Sequence, residues 1–245
     1  MKRLALIISP LGYRPSQGME SDTINYHAFF RSNYGGAWED DEIKVLRTAS
    51  RRELSEWSEL CVSKDYSVIT FSGHGDYIEN GKYGPTTRLW LKDDESINVD
   101  ELYSRALRQL FIIDACRHIE PTTVFFAKSA TLLNSQDTLH YRALCREVYN
   151  TAIFAAEEGR IEMYSCSRDQ YAYERRDGSG GQFSHALVTR AKSWAENARN
   201  NFTKSECLDC KSAFDLVQVP PPQIPEINLG RRRNIFPFAV SPHQI

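Results

Sequence analysis

Ser72-Gly73-His74-Gly75 directly follows the apolar run 66–71, and Asp114-Ala115-Cys116-Arg117 directly follows the apolar run 110–113. Continuous apolar runs of this length read as strands of a parallel sheet covered on both faces. Chemistry in open α/β sheets collects at the carboxyl ends of such strands. The sequence therefore predicts His74 and Cys116 at one sheet edge. A Cys thiol is only partly ionised at neutral pH, and an imidazole beside it can take the proton and leave a nucleophilic thiolate. This is the logic of a cysteine peptidase. A lone Cys after a strand is usually a buried structural thiol and a lone His a hydrogen-bonded structural residue. Here the glycines on both sides of His74, which let backbone approach a substrate, and the matching placement of the two residues favour the catalytic reading. His118 and His185 are the rival bases. His118 is two residues from the nucleophile and expected to point elsewhere, and His185 falls on a helix face.

Two carboxylates supply the specificity argument, because acidic groups at a pocket favour a cationic Arg or Lys side chain before the scissile bond. The candidates are Asp114, two residues before Cys116, and Asp169 in the segment Ser165-Cys166-Ser167-Arg168-Asp169-Gln170-Tyr171-Ala172, with Gln170 beside it and Glu174 as a third acidic candidate. The plain alternative for both aspartates is a carboxylate that caps its own loop.

Taken together, these motifs resemble the caspase-like cysteine peptidases, and the metacaspase and prokaryotic branch more than the animal caspases. The general caspase signature is Gln-Ala-Cys, one of Arg, Gln or Gly, then Gly, with the His about 50 residues upstream. This chain has Asp-Ala-Cys-Arg-His, and its His lies 42 residues before the Cys. Metacaspases typically carry Asp two residues before the nucleophile and a second acidic site in a later segment. Gly181-Gln182-Phe183-Ser184-His185-Ala186-Leu187 looks like the helix start that follows that segment, and Gln223-Ile224-Pro225-Glu226 like the closing stretch. His118 departs from the pattern, standing where animal caspases have Gly and metacaspases usually Ser. The resemblance implies an oxyanion hole made by the Gly75 amide with that of Cys116. It also implies cleavage after Arg or Lys, whereas animal caspases use arginines to hold Asp. No cofactor is required, although calcium activates some members. Protein or peptide substrates, an upstream activating protein, a monomer or weak oligomer, and a defence role complete what it implies, while few cysteines without a disulfide framework fit a cytoplasmic, reducing location. The alternative from another class is a catalytically inactive caspase-like scaffold that binds a protein partner.

The elements that must position these residues alternate. Residues 2–9, 42–48, 66–71, 109–113 and 161–165 read as strands, and 23–31, 50–61, 99–107, 138–157 and 182–196 as helices. Ser50 and Glu53 form a capping box at one helix start. Residues 77–83 and 87–91 read as a hairpin around Asn80-Gly81, and 234–240 as a last strand. This pattern predicts an α/β fold: a caspase-like three-layer αβα sandwich around a mostly parallel central sheet. One peptidase domain spans 1–245. Its parts are a large-subunit-like 1–119 with the His/Cys dyad, a connection 120–160, and a small-subunit-like 161–245 with the specificity loop. Residues 120–137 form the longest unpatterned stretch, and self-cleavage is expected there, with Lys128 the nearest basic candidate and Arg142 and Arg146 held in the following helix.

Composition excludes other classes. With 245 residues, 41% hydrophobic and 25% charged, the chain is long enough for a sizeable core. A net charge of −2 provides no basic field for nucleic acid or an anionic membrane. The apolar start, residues 1–10, is too short for a membrane span and reads as the first core strand. Six cysteines show no disulfide-framework spacing. Cys207-Leu-Asp-Cys210 is half a zinc pattern with no second pair nearby, so no metal site is expected.

Overall fold

The computed structural model describes residues 1–102, 104–118, 139–201 and 205–241. In chain order the elements are β1 (Arg3–Ile8), α1 (Gln17–Arg31), β2 (Ile43–Leu46), α2 (Arg51–Leu60), β3 (Tyr66–Ser72), β4 (Gly75–Gly81), β5 (Gly84–Lys92), β6 (Glu95–Asn98) and β7 (Arg108–Asp114). They continue as α3 (Leu139–Ala155), β8 (Gly159–Tyr164), α4 (Gln182–Asn201), β9 (Glu206–Asp209), α5 (Cys210–Asp215), β10 (Glu226–Asn228) and β11 (Pro237–Ser241).

The apolar runs become a six-stranded sheet in the order β10-β8-β7-β3-β1-β2, parallel throughout except for the antiparallel edge strand β10. Strands β1 and β3 are buried along their whole length, because both sheet faces are covered. Side chains alternate between the faces. Ala5, Ile7, Val68, Leu110 and Ile112 share one core with Tyr26, Phe29 and Phe30 of α1, Tyr149 of α3 and Leu187 of α4. Leu4, Leu6, Ile69, Phe111 and Ile113 share the other with Trp57 of α2 and with Leu89 and Ile97 of the small antiparallel sheet β4-β5-β6. The three-layer α/β sandwich predicted from the alternation is therefore the observed architecture.

Local departures have local causes. The helix expected over 23–31 begins six residues earlier, at Gln17, because Ser16 caps it by accepting from the Met19 amide. The hairpin turns at Lys82-Tyr83, between paired Gly81 and Gly84, rather than at Asn80-Gly81. Among the described residues of 99–107 no helix forms: the Arg160 guanidinium takes the carbonyls of Val99 (2.9 Å) and Leu102 (3.2 Å), so side-chain donors satisfy groups a helix would have paired. Cys207 falls on β9 and Cys210 at the start of α5. Residues 120–137 and Lys128 lie outside the described residues.

Arg3 is buried beneath Trp38, 4.3 Å from its ring, and joins Arg146 in clasping Glu42. Burial by itself pushes the Glu42 carboxyl up, but its bonds from Arg146 and Arg3 prevail and hold it at about 2, below the ordinary value. A carboxyl depressed in the folded state gives stability that is present above its unfolded pKa and lost as pH falls toward the folded one. Acid unfolding is therefore expected to remove about 3 kcal/mol between roughly pH 4 and 2 through this group. In denaturant titrations Glu42→Gln should be less stable at pH 7 and show a flatter pH dependence over that window.

Candidate active site

Strands β3 and β7 lie side by side, with their last residues, Ser72 and Asp114, paired across the ladder. The Gly73 amide then donates to the Asp114 carbonyl at 3.0 Å, carrying the alignment one residue beyond the strands. His74 and Cys116 each come two residues after that shared register, so the parallel pairing delivers them to the same edge. The next residue explains a glycine. A Cβ on Gly75 would stand 2.8 Å from the Cys116 carbonyl oxygen and 2.9 Å from that of Arg88, closer than a side chain tolerates. Gly75 thus lets the His loop lie against the nucleophile loop, and the Tyr77 amide, bonded to the His118 carbonyl at 3.2 Å, fastens the two.

The imidazole orientation follows from one contact. Nε2 of His74 is 2.8 Å from the Arg14 carbonyl oxygen, which can only accept, so Nε2 carries a hydrogen and Nδ1 is the basic nitrogen of the neutral ring. Arg14 presents that carbonyl from a left-handed conformation (φ 43°), strained for a residue with a Cβ. Tyr13 packs edge-on against His74 and stacks on Trp90. The Cys116 thiol is partly exposed and donates to the Ala172 carbonyl at 3.6 Å. Burial above all, opposed by that contact and reinforced by Asp114 and Glu174, pushes its pKa up, so the resting thiol is protonated and needs a base to become a nucleophile.

Beneath it, Asp114 is 5% exposed and accepts from the Ser184 amide (3.1 Å) and hydroxyl (2.7 Å). A second carboxylate, Asp22 of α1, is 1% exposed and accepts from the Ser72 hydroxyl (2.5 Å) and the Gly181 amide (3.0 Å to each oxygen). Both press on one glycine: a Cβ at Gly181 would stand 2.2 Å from Asp114 Oδ2 and 3.2 Å from Asp22 Oδ2. Glu174, bonded by the Ser16 hydroxyl, adds a third negative group that acts on Asp22 and Cys116.

A sequence profile described as the caspase domain matches residues 2–218. The chain belongs to the caspase family. Comparison with curated protein sequences gives no match. Among solved structures, a crystal structure of caspase-1 from Spodoptera frugiperda is similar, with 14% identity and a TM-score of 0.56, covering 93% of this chain and 86% of that one. At that identity the likeness establishes the caspase fold, in which His74 and Cys116 occupy neighbouring strand ends.

The other predicted site residues of this caspase-family chain fall elsewhere. The Asp169 side chain is 62% exposed and 3.6 Å from His118 Nε2, so it is not brought together with Asp114. His118 stacks on Tyr171 with ring centroids 4.3 Å apart. His185 sits on α4, its amide bonded to the Gly181 carbonyl, and burial followed by the Arg175 charge lowers its pKa. Gln170 braces the loop: its carbonyl accepts from the Arg117 amide and its side chain from the Ile224 amide. Arg117, 5% exposed, bonds Thr87, the Cys166 carbonyl and Glu226, and lies 4.2 Å from the Tyr164 ring centroid, tying the nucleophile loop to β5, β8 and β10.

Asp22 is the site residue that the sequence reading missed. It lies three residues after Met19 and four before Tyr26, both buried, so a carboxylate on the apolar stripe of α1 was the available signal. Among the described residues, no group of three or more His, Cys, Asp or Glu side chains is arranged to hold a metal ion, and no helix is long and apolar enough to cross a membrane.

Proposed function

We propose that this caspase-family chain is a cysteine endopeptidase that cuts proteins after Arg or Lys. The observation that carries the catalytic part is the shared register of β3 and β7, which supports His74 as base to Cys116. In this reading the Cys116 proton passes to His74 Nδ1 as sulfur attacks the peptide carbonyl carbon. The oxyanion is received by the Gly75 and Cys116 amides. Collapse of the intermediate breaks the C–N bond, and His74 returns the proton to the leaving amine. Water, deprotonated by the same imidazole, then hydrolyses the thioester.

The specificity part is supported by the buried carboxylates Asp22 and Asp114, with Glu174 beside them. A guanidinium or ammonium placed among them gains charge-assisted hydrogen bonds in a low dielectric, whereas an aspartate side chain would be repelled. The acidic partner of Asp114 is thus Asp22 rather than Asp169. Profiling the purified protein on a fluorogenic peptide library, with Cys116→Ala as control, is expected to give cleavage after Arg or Lys and none in the control. A library in which Asp beats Arg overturns the specificity. Inactivity of the intact and of the proteolytically nicked protein on every peptide favours the scaffold alternative.

A further inference from the structure

We propose that Asp22 and Asp114 share a single proton, and that a basic substrate side chain binds to them by displacing it, so that substrate binding releases a proton. The inference rests on the Arg/Lys reading above and deepens it.

The geometry carries the argument. Two carboxylates are almost wholly buried, converge on Gly181, and among the described residues are met by neutral donors: Ser72 and the Gly181 amide on Asp22, and Ser184 and the Ser165 side chain on Asp114. Among the described residues no cationic side chain bonds either one. The ionisable groups that face the pair are also of the wrong sign to balance two charges. They are Tyr26 on α1, Cys116 on the nucleophile loop and Glu174 on the loop before α4. On the glycine-rich turn, Arg175 is engaged by Asp177 and Ser179. Like carboxylates in such surroundings do not both ionise. Burial first and mutual repulsion second raise Asp22 well above the ordinary carboxylate range, and burial raises Asp114 too.

A guanidinium donating to both carboxylates needs both as acceptors, which leaves no place for the shared proton. Exchanging the proton for the cation keeps the buried net charge unchanged, so the two carboxylates are neither a naked pair of charges without substrate nor burdened with a superfluous proton with it. A neutral side chain of the same shape displaces nothing. Because the two groups titrate as a pair, the released proton belongs to the pair and not to either residue.

The experiment is isothermal titration calorimetry of the Cys116→Ala chain with an arginine peptide and its citrulline counterpart, in phosphate and Tris buffers of different ionisation enthalpy. The arginine peptide is expected to bind more tightly and to release about one proton per peptide near neutral pH. The double variant Asp22→Asn/Asp114→Asn in the same background should show release near zero at whatever affinity remains, since neither carboxylate is left to hold the proton. Tighter binding of the arginine peptide without proton release overturns the exchange and leaves the specificity standing. Equal binding of the two peptides, or none, overturns both.

Discussion

Cys116→Ala and His74→Ala are each expected to lower kcat/KM on an arginine peptide by about three decades or more, with the double variant little worse than either single one. The non-additivity follows from the division of labour. Burial raises the Cys116 pKa, so the thiol contributes little nucleophilicity until Nδ1 of His74 takes its proton. Without the sulfur the imidazole has nothing to activate. Pre-steady-state and steady-state kinetics on the four proteins check this, and substantial turnover by Cys116→Ala would remove the assignment. His118→Ala should stay within a few-fold of the parent, because its ring is held by Tyr171 and Asp169.

Asp114→Asn is expected to reduce kcat/KM for arginine peptides by roughly 30- to 4,000-fold, the equivalent of about 2 to 5 kcal/mol for removing one partner of a desolvated, hydrogen-bonded ion pair. Asp22→Asn should fall in the same range. Asparagine keeps the shape and can still accept from Ser184 or Ser72, so circular dichroism and thermal melts should report an intact fold. Asp169→Asn should have a much smaller effect, since its carboxylate is mostly solvated and directed at His118. The ranking is the test: an Asp169 variant that loses more arginine selectivity than the Asp22 and Asp114 variants would reverse the pocket assignment.

The alternation of strands and helices, the covered parallel sheet and the placement of His74 and Cys116 were all legible in the residues, because each depends on local pattern. Apolar runs make buried strands, and the residue just past a run sits at the sheet edge whatever the rest of the chain does. The Ser50–Glu53 capping box is equally local, two side chains closing on amides three residues apart, and it forms as predicted. Where longer-range groups intervene the pattern failed: residues 99–107 carry helix-compatible side chains, but Arg160 on β8 takes the carbonyls of Val99 and Leu102. The charge of the pocket is the clearest division. Asp114 announced itself by its distance from Cys116, whereas Asp22 meets it only because α1 packs across β3 and against the start of α4. That contact joins residues 92 positions apart in the chain. Sequence alone determined which groups could do chemistry and on which edge of the sheet. Tertiary packing decided which carboxylates share a desolvated space, since burial and mutual repulsion exist only once distant segments have closed around them.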